Sequence, residues 1–483
     1  MRHNCKHECY NVFHGIKFND SKVSEFSQSH LLVFLIIIRY LNVCYSELQS
    51  IGSCEHYFYA FNLKAMMRLL ITLLLFSGIE IYAFKGLRMS LASVDPFWRK
   101  TLLILFWSTT VVAYGTIVFM LLNWTSRHEW QGSRGYSLFN FAVGFFIIAV
   151  STKLIFGTFH LLNDIANGIK WLATRFFESP ESESHERMTR IQFFNQLGLG
   201  VAAAWAGSMI YGVTKGKFNY RVMSERIVFP DLPEAFDGLR IVQISDLHLG
   251  SFNEAFEDVQ PGFDLINSLD ADFVFFTGDM VNNFANEAEP WIERLAGIKA
   301  KSGKFSILGN HDYGDYAMGN QPELKKKSQN RLFEIHKEAG FQLLRNENVV
   351  IKKDGQSIRI LGSENWGLGF HQHGDLAKTM EGAGKGEFKI LLSHDPTHWS
   401  EQVIDQTNIA LTLSGHTHGA QMGVELPQFG IKLSPVSLRY KRWGGLYREG
   451  NQYLYINRGF GFLAFPGRVG MSPEITLLEL VRA

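Results

Sequence analysis

Five short polar stretches recur through the second half of this chain: SDLHLG (245–250), TGDMV (277–281), GNHD (309–312), SHDP (393–396) and GHTHG (415–419). Each stretch directly follows a short apolar run that is typical of a buried β-strand. In open α/β sheets, ligands bind at the carboxyl ends of the strands, so the five stretches should converge on one place. Aspartate, histidine and asparagine recur in them, which predicts a metal or catalytic site at the strand ends.

The apolar runs around these stretches predict a domain of strands and helices over residues 225–483. Strands are predicted at 239–245, 272–277, 304–308, 358–361, 388–393, 409–414, 453–457 and 475–480. Helices are predicted at 256–269, 287–299 and 322–339. Strands that are buried on both faces are almost continuously apolar, as these runs are. The predicted fold class is therefore α/β.

The first half of the chain has the composition of a membrane region, over residues 66–214. A helix needs about 20 apolar residues to cross the hydrocarbon core of a bilayer. Four such helices are predicted at about 69–84, 101–124, 138–162 and 191–213. Four buried helices of a soluble protein are the alternative, which the uncharged runs at 101–126 and 191–213 disfavour.

The basic residues between the predicted spans indicate an orientation, because cytoplasmic loops carry an excess of lysine and arginine. The loop after the first span has four basic residues, Lys85, Arg88, Arg99 and Lys100. The loop after the third span also has four, Lys170, Arg175, Arg187 and Arg190. The loop between the second and third spans has only Arg127 and Arg134. This pattern places the two basic loops in the cytoplasm and the domain after residue 214 on the outer face. Four further basic residues between 215 and 226 reduce the asymmetry.

Residues 1–65 differ in composition from the rest of the chain. All four cysteines lie there, at positions 5, 9, 44 and 54. Cys5 and Cys9, with His3 and His7, do not match the spacing of a closed zinc site. Met66 begins the run MMRLLITLLLF, which is typical of the start of a membrane-inserting segment. We therefore expect translation to begin at Met66, with residues 1–65 as a non-native or disordered extension.

The composition of the 483-residue chain excludes several classes of protein. Lys and Arg total 47 against 46 Asp and Glu, a net charge of +1, so no nucleic acid is expected as a specific partner. Four cysteines are too few for a disulfide scaffold. A hydrophobic content of 46% is too high for a disordered chain. The mean hydropathy of -0.02 averages an apolar first half and a polar second half.

The five strand-end stretches, in this order, resemble the motifs of the calcineurin-like metallophosphoesterase family. The resemblance covers roughly residues 237–482, and with the predicted membrane helices the chain is similar to membrane-anchored bacterial members. It implies a four-layer sandwich, with two central sheets flanked by helices, preceded by the four-helix transmembrane region. It also implies two divalent metal ions, and we expect manganese, iron or zinc from the mixture of imidazole, carboxylate and amide donors.

The resemblance assigns roles to residues of these motifs. One metal would be bound by Asp246, His248, Asp279 and His418. The other would be bound by Asp279, Asn310, His394 and His416, so that Asp279 bridges the pair. A hydroxide bridging the metals would attack phosphorus. His311 would protonate the leaving oxygen or stabilise the transition state, and Asp312 would orient the His311 imidazole.

Other residues are candidates for substrate binding, each with a simpler alternative. His398 follows the fourth stretch and either contacts substrate or packs behind the site. Arg458 and Arg468 lie in a glycine-rich segment after a predicted strand and either bind a phosphate or lie on the surface. A second His-x-His at 371–373 follows no predicted strand. The segment 426–443 mixes apolar, aromatic and basic residues, which suits a lipid surface or a lipid-like substrate.

The predicted protein is a phosphohydrolase, which the resemblance places in a bacterial inner membrane. The basic loops place its catalytic domain on the outer (periplasmic) face. Its substrate would be a phosphodiester or a pyrophosphate, and a lipid-linked one suits a domain held at a bilayer. The alternatives are a nucleotide or cell-envelope phosphodiesterase and a catalytically inactive membrane scaffold. A distant resemblance to UDP-2,3-diacylglucosamine pyrophosphatases, which act at the cytoplasmic face, conflicts with the predicted orientation.

Overall fold

The computed structural model describes residues 56–122, 133–176, 185–253, 255–319 and 321–483. The chain divides into two units, Met1–Phe76 and Ser77–Ala483, which are described separately. In the first unit, the described residues form the beginning of one long helix, α1 (His56–Ser90). The expected extension at 1–65 falls almost entirely outside the described residues, so the start at Met66 stays a prediction.

Three further long helices follow: α2 (Pro96–Leu122), α3 (Ser133–Phe176) and α4 (His185–Thr214). Three segments of the described chain are long and apolar enough to cross a membrane: Pro96–Phe119, Leu138–Phe176 and Phe193–Thr214. They correspond to the second, third and fourth predicted spans. The first predicted span, 69–84, lies within α1 and stays a prediction.

Two charges in the apolar parts of the helices are paired inside the helix bundle. Lys153 of α3 is buried, and its ammonium lies 3.2 Å from Glu80 Oε1 of α1. The same ammonium donates to Thr110 Oγ1 of α2 at 2.6 Å. Charges within a bilayer are costly unless they face the bundle interior and are paired. This ion pair therefore explains why a lysine and a glutamate occur in otherwise apolar helices.

The domain after α4 contains two six-stranded sheets and a hairpin. The first sheet consists of β1 (Arg221–Phe229), β2 (Leu239–Ile244), β3 (Phe273–Phe276), β4 (Gly303–Ser306), β5 (Gln342–Leu343) and β14 (Glu474–Arg482). The second consists of β6 (Glu347–Lys353), β7 (Gln356–Gly362), β8 (Phe388–Leu392), β9 (Leu411–Ser414), β12 (Gly445–Glu449) and β13 (Gln452–Ile456). The hairpin consists of β10 (Val424–Leu426) and β11 (Ile431–Leu433).

The helices of this domain are shorter than those of the membrane region. They are α5 (Leu249–Phe252), α6 (Phe256–Ser268), α7 (Ile292–Ala296), α8 (Asp315–Met318), α9 (Pro322–Glu338) and α10 (Leu376–Thr379). The strand orders of the two sheets are β1-β14-β2-β3-β4-β5 and β12-β13-β9-β8-β7-β6. Strands β2 to β5 run parallel, and so do β7, β8, β9 and β13.

The two sheets pack face to face between outer layers of helix. One apolar core contains residues of both sheets, such as Phe275 and Ile390. Helices α6 and α9 pack on the outer face of the first sheet through Phe263 and Ile335. Helix α10 and the turn Trp399–Val403 pack on the outer face of the second sheet. The predicted α/β four-layer sandwich is confirmed.

Two features of the domain differ from the sequence prediction. The predicted helix at 287–299 is broken, because Pro290 lies in the 3-10 turn Glu289–Trp291 and only α7 is α-helical. Strand β1 begins before the expected domain start at 225 and pairs with β14 along its whole length. Exposed and buried residues alternate in this edge strand, so it lacks the continuous apolar run by which the central strands were predicted.

The end of α4 contacts the loop that precedes β14. The Arg468 N–H donates to the Gly212 carbonyl of α4 at 3.1 Å. A Cβ at Gly212 would lie 2.5 Å from Val469 Cγ2, so glycine permits this close approach. Helix α3 also packs against α5, which follows the end of β2. The carboxyl end of the first sheet therefore lies beside two of the membrane helices.

Candidate metal centre

Six of the seven predicted metal ligands form two groups in the structure. Within each group the ligand atoms lie within 4.8 Å of one another: Asp246, His248 and His418; Asp279, His394 and His416. These residues follow the carboxyl ends of β2, β3, β8 and β9. The structure therefore brings together the side chains that the strand-end pattern placed at one edge of the fold.

The first group contains a close contact between two imidazole nitrogens. His248 Nε2 lies 3.1 Å from His418 Nε2, which lies 3.2 Å from Asp246 Oδ1. His248 Nδ1 is 3.1 Å from the Asn282 side-chain oxygen, so Nδ1 carries the proton and the Nε2 lone pair points into the group. Burial holds the pKa of His248 well below its usual value, so the ring is neutral. A neutral imidazole held in this way has the form of a metal ligand.

Asn310 joins the two histidines of the second group. Its side-chain oxygen lies 2.8 Å from His416 Nδ1 and 3.2 Å from His394 Nε2. His394 Nδ1 donates to the Thr277 carbonyl at 2.7 Å, which directs Nε2 into the group. The imidazole, carboxylate and amide donors of the two groups fit divalent transition metals.

Asp279 belongs to the second group and also lies close to the first. Its Oδ2 is 3.1 Å from His394 Nε2 in the second group and 3.6 Å from His248 Nε2 in the first. Its Oδ1 accepts the backbone N–H of His311 at 2.8 Å, which fixes the orientation of the carboxylate. One carboxylate oxygen therefore lies close to donors of both groups, a position that suits a ligand shared by two cations.

Both carboxylates of the two groups are buried and ionised. Burial alone would raise the pKa of Asp279, but His394 and His311 hold it well below its usual value. Burial likewise opposes ionisation of Asp246, and His418 holds its pKa below the usual range. Buried charges are costly unless they are paired or coordinate a metal. The two carboxylates therefore favour cations at this place.

Metal binding should release a proton from His394. Burial would lower the pKa of this imidazole, but Asp279 and then Asp246 raise it to about 10 in the metal-free protein. A metal requires the neutral ring, so the affinity should rise with pH between 7 and 9, by about tenfold per pH unit for each proton released. Calorimetric titration of the chelator-treated protein with Mn²⁺, in buffers of different ionisation enthalpy, measures that proton. Binding without proton release would contradict this account.

Five of the predicted ligands have a left-handed backbone. The φ values are 52° at Asp246, 45° at His248, 60° at Asp279, 70° at His416 and 51° at His418. Residues with a side chain adopt positive φ uncommonly, and such strain is concentrated at functional sites. In the sharp turns that follow the strands, this backbone positions the side chains of the two groups.

Two glycines of the motifs lie against these carboxylates. A Cβ at Gly415 would lie 2.3 Å from Asp246 Oδ2, and a Cβ at Gly309 would lie 2.2 Å from Asp279 Oδ1. No side chain fits at either position without displacing a carboxylate. The glycines of the third and fifth stretches therefore let neighbouring loops approach the site.

His311 lies at the accessible edge of the two groups. Its ring centroid is 5.0 Å from the His248 ring and 4.6 Å from the Tyr316 ring. Its Nδ1 donates to the Asn282 carbonyl at 2.8 Å. This contact holds the imidazole and leaves Nε2 without a partner among the described residues, where it could meet a substrate.

Asp312 does not orient His311, contrary to expectation. Its carboxylate instead accepts four backbone N–H groups, from Gly309 and Asp279 at 2.9 Å, Met280 at 2.8 Å and Val281 at 3.3 Å. Burial, and then repulsion from Asp279, raise its pKa to about 7, although the N–H donors oppose this. Asp312 joins the second and third stretches, so its effect on the site is structural.

Replacing Asp312 with alanine should destabilise the domain rather than remove one catalytic step. Four buried N–H groups would lose their acceptor, which we expect to lower the free energy of unfolding by about 3 kcal/mol. Thermal unfolding of the detergent-solubilised protein measures this loss, with Asp264→Ala, at an exposed carboxylate of α6, as the control. An unchanged melting temperature with lost activity would contradict the structural role.

Three residues that hold the site were not identified from the sequence. The Tyr440 hydroxyl lies 2.8 Å from His416 Nε2, and Asp395 Oδ2 lies 3.4 Å from the same nitrogen. Asn282 contacts His248 with its side chain and His311 with its carbonyl. Asp395 stands in the fourth stretch, which was a signal for its role. Tyr440 and Asn282 have no local signal, because only the fold brings them to the site.

The expected substrate residue His398 is completely buried. Its Nδ1 lies 2.7 Å from Ser393 Oγ, and its Nε2 lies 3.0 Å from Gln402 Oε1. Its ring stacks on Trp366 with centroids 5.1 Å apart. Both nitrogens are therefore occupied by the protein, which favours the packing alternative over substrate contact.

The two arginines also pair with groups of the protein, although Arg458 Nε and Arg468 Nη1 have no partner among the described residues. Arg458 pairs with Glu474 at 2.6 Å and with Glu425 at 2.7 Å. Arg468 is 2% exposed, and its Nε and Nη2 donate to the carbonyls of Gly461 and Arg458 at 2.8 Å and 2.9 Å. Its Nη2 also lies 3.3 Å from His418 Nδ1. These contacts favour a role in holding the loop beside His418 over the expected phosphate contact.

The second His-x-His pair lies apart from the two groups. His371 and His373 approach Asp315 in a third group, in which His371 is exposed. The Lys325 ammonium already contacts the Asp315 carboxylate, and His373 stacks on Tyr313 with centroids 3.9 Å apart. This arrangement favours an ordinary surface cluster.

Two family models match the chain. The model described as "Probable Calcineurin-like phosphoesterase, transmembrane domain" matches residues 67–217. The model described as "Calcineurin-like phosphoesterase" matches residues 239–420, which include the five stretches. The two matches agree with the division of the chain into membrane helices and an α/β domain.

Several curated proteins are similar to this chain. The uncharacterized metallophosphoesterase YkuE of Bacillus subtilis is 31% identical over 307 residues, which cover 61% of this chain and 98% of that protein. A transmembrane protein with metallophosphoesterase domain from Danio rerio is 25% identical over 80% of this chain and 81% of that protein. The UDP-2,3-diacylglucosamine pyrophosphatase LpxG of Chlamydia trachomatis is 30% identical over 280 residues, which cover 48% of this chain and 81% of that protein. This chain therefore belongs to the calcineurin-like metallophosphoesterase family, as a member with a transmembrane region.

Proposed function

We propose that the protein is a dinuclear metal-dependent phosphohydrolase that cleaves a phosphodiester or a pyrophosphate. The position of Asp279, with one oxygen close to donors of both groups, is the observation that carries this proposal. Asp246, His248 and His418 would hold one cation, and Asn310, His394 and His416 the other, with Asp279 shared. When bound, two divalent cations such as Mn²⁺, Fe²⁺ or Zn²⁺ would activate water and offset the charge of the phosphoryl group.

The residues of the chain supply orientation and a proton. Asn282 and Thr277 fix the rings of His248 and His394, so that one nitrogen of each faces the site. His311 holds its Nδ1 proton against the Asn282 carbonyl, and its Nε2 would deliver a proton to the leaving oxygen. A leaving group that receives a proton need not depart as a strongly basic anion.

The contact between the catalytic domain and the membrane helices supports a substrate in the membrane. Arg468 donates to the end of α4, and helix α5, which directly follows His248, packs on α3. A lipid-linked phosphodiester or pyrophosphate would reach a site so placed without leaving the bilayer. The name of the Chlamydia trachomatis relative, a pyrophosphatase of a diacylated sugar nucleotide, is consistent with this class.

We also propose that the domain lies on the outer face of a bacterial inner membrane. The basic residues of two loops between the helices support this orientation. A reporter that is active only in the cytoplasm, fused after residue 215, should be inactive. Strong reporter activity there would place the domain in the cytoplasm instead.

Hydrolysis of bis-p-nitrophenyl phosphate by the full-length protein in detergent tests the proposed reaction. Chelation should abolish turnover, and Mn²⁺ should restore it. Absence of metal-restored turnover would overturn the proposal and favour an inactive scaffold.

A further inference from the structure

The hairpin of β10 and β11 has one polar face and one apolar face. Val424 pairs with Leu433, and Leu426 pairs with Ile431. Residues directly opposite in an antiparallel pair share a face, and the face alternates along each strand. These four apolar side chains therefore lie on one face, and the pair Glu425 and Lys432 lies on the other.

The polar face of the hairpin is attached to the domain. Glu425 pairs with the buried Arg458 at 2.7 Å. The Lys432 ammonium contacts the Gly444 carbonyl and lies 4.6 Å from the centre of the Trp443 ring. These contacts fix the hairpin so that its other face points away from the domain.

The apolar face is exposed in the described part of the chain. Phe429 at the tip is 71% exposed, and Leu433 is 64% exposed. Leu438, in the turn after the hairpin, is 93% exposed. A group of exposed apolar side chains on a rigid element marks an interaction surface.

The root of the hairpin is continuous with the contact to the membrane helices. The Gly423 N–H donates to the Val469 carbonyl at 2.9 Å, and the Val469 N–H donates to the Gln421 carbonyl at 2.8 Å. Val469 and the preceding Arg468 are the residues that meet Gly212 at the end of α4. The hairpin therefore emerges beside the end of a membrane span.

The segment after the hairpin connects it to the metal centre. Ser434 Oγ donates to the Gly419 carbonyl at 2.7 Å, and the Tyr440 hydroxyl lies 2.8 Å from His416. No acidic residue occurs between 426 and 448, whereas the exposed Arg439 and Lys441 are basic. Basic residues next to an apolar face suit the anionic head groups and acyl chains of a lipid surface.

We infer that the apolar face of this hairpin binds lipid acyl chains of the bilayer, and that the metal centre acts on an amphiphilic phosphate ester drawn from the same lipid layer. The inference rests on the proposed phosphohydrolase function. The hairpin contributes binding to the hydrocarbon part of the substrate, while the metal centre contributes the reaction. Short-chain and long-chain substrates with the same leaving group should therefore separate the two contributions.

The test compares hexadecyl p-nitrophenyl phosphate with ethyl p-nitrophenyl phosphate, using the full-length protein in phosphatidylcholine–phosphatidylglycerol vesicles. The wild type should prefer the hexadecyl ester. In the triple variant Phe429→Ser, Leu433→Ser, Leu438→Ser, the ratio of kcat/KM for the two esters should fall by about tenfold or more, because apolar contact is lost. Val350→Ser, at a 39% exposed site on β6, is the matched control and should keep the wild-type ratio.

A second measurement does not depend on catalysis. An environment-sensitive fluorophore on Phe429→Cys, with Cys5, Cys9, Cys44 and Cys54 replaced by serine, should be quenched by doxyl-labelled lipid. The same fluorophore on Val350→Cys should not be quenched. An unquenched hairpin, or a ratio of kcat/KM that the triple variant leaves unchanged, would overturn the inference. Absence of metal-dependent turnover of either ester in the wild type would instead overturn the proposed function.

Discussion

Replacing Asp279 with asparagine should lower kcat/KM for bis-p-nitrophenyl phosphate by about a thousandfold or more, a loss of roughly 4 kcal/mol of transition-state stabilisation. One oxygen of this carboxylate lies 3.1 Å from His394 and 3.6 Å from His248, one residue of each donor group. Two cations held close together repel each other, and a shared negative ligand offsets that repulsion. The amide of asparagine has no charge to offer, so we expect one of the two cations to be lost.

The matched control for Asp279→Asn is Asp270→Asn, at an exposed carboxylate that pairs with Lys301 at the surface. Metal analysis of both variants, with thermal unfolding to confirm that each is folded, separates loss of metal from loss of structure. The control should keep wild-type activity and metal content. An Asp279→Asn protein that keeps two metals and activity within tenfold of the wild type would contradict the shared-ligand assignment.

Replacing His311 with glutamine should lower kcat by about a hundredfold or more while leaving the metal content unchanged. His311 lies beside the first donor group but is held by the Asn282 carbonyl rather than by another ligand. Its loss should therefore remove proton donation without emptying the site. The defect should be larger for diphenyl phosphate than for bis-p-nitrophenyl phosphate, because phenolate is the more basic leaving group and depends more on a proton donor.

The exposed His371 provides the matched control for His311. His371→Gln should behave as the wild type with both substrates. Equal defects of His311→Gln with the two leaving groups would contradict a proton-donating role and favour a role in substrate binding.

The central strands and the site they carry were predictable from the sequence for a physical reason. Strands such as β3 and β8 are buried on both faces, so they appear as continuous apolar runs, and their ends carry the polar motifs. The edge strand β1 and the hairpin strands have mixed or exposed faces, so they contain no continuous apolar run from which they could be predicted. Continuous apolar runs therefore predicted the central strands of the sheets better than the edge strands.

The roles of individual side chains were less predictable, because they depend on contacts between distant segments. Asp312 stands next to His311 in the chain, which suggested that it orients the ring, yet it caps backbone N–H groups of the neighbouring stretch. Arg458 has a charge suited to phosphate, but Glu474 and Glu425 occupy it. Only the folded structure shows which hydrogen bonds and ion pairs a polar side chain forms with distant segments.

An anomalous difference map from crystals of the full-length protein grown with Mn²⁺ tests the dinuclear centre most directly. The structure predicts two peaks about 3.5–4 Å apart, one beside Asp246 and His248, the other beside Asn310 and His394, with Asp279 between them. A single peak, or two peaks that do not share Asp279, would contradict the assignment.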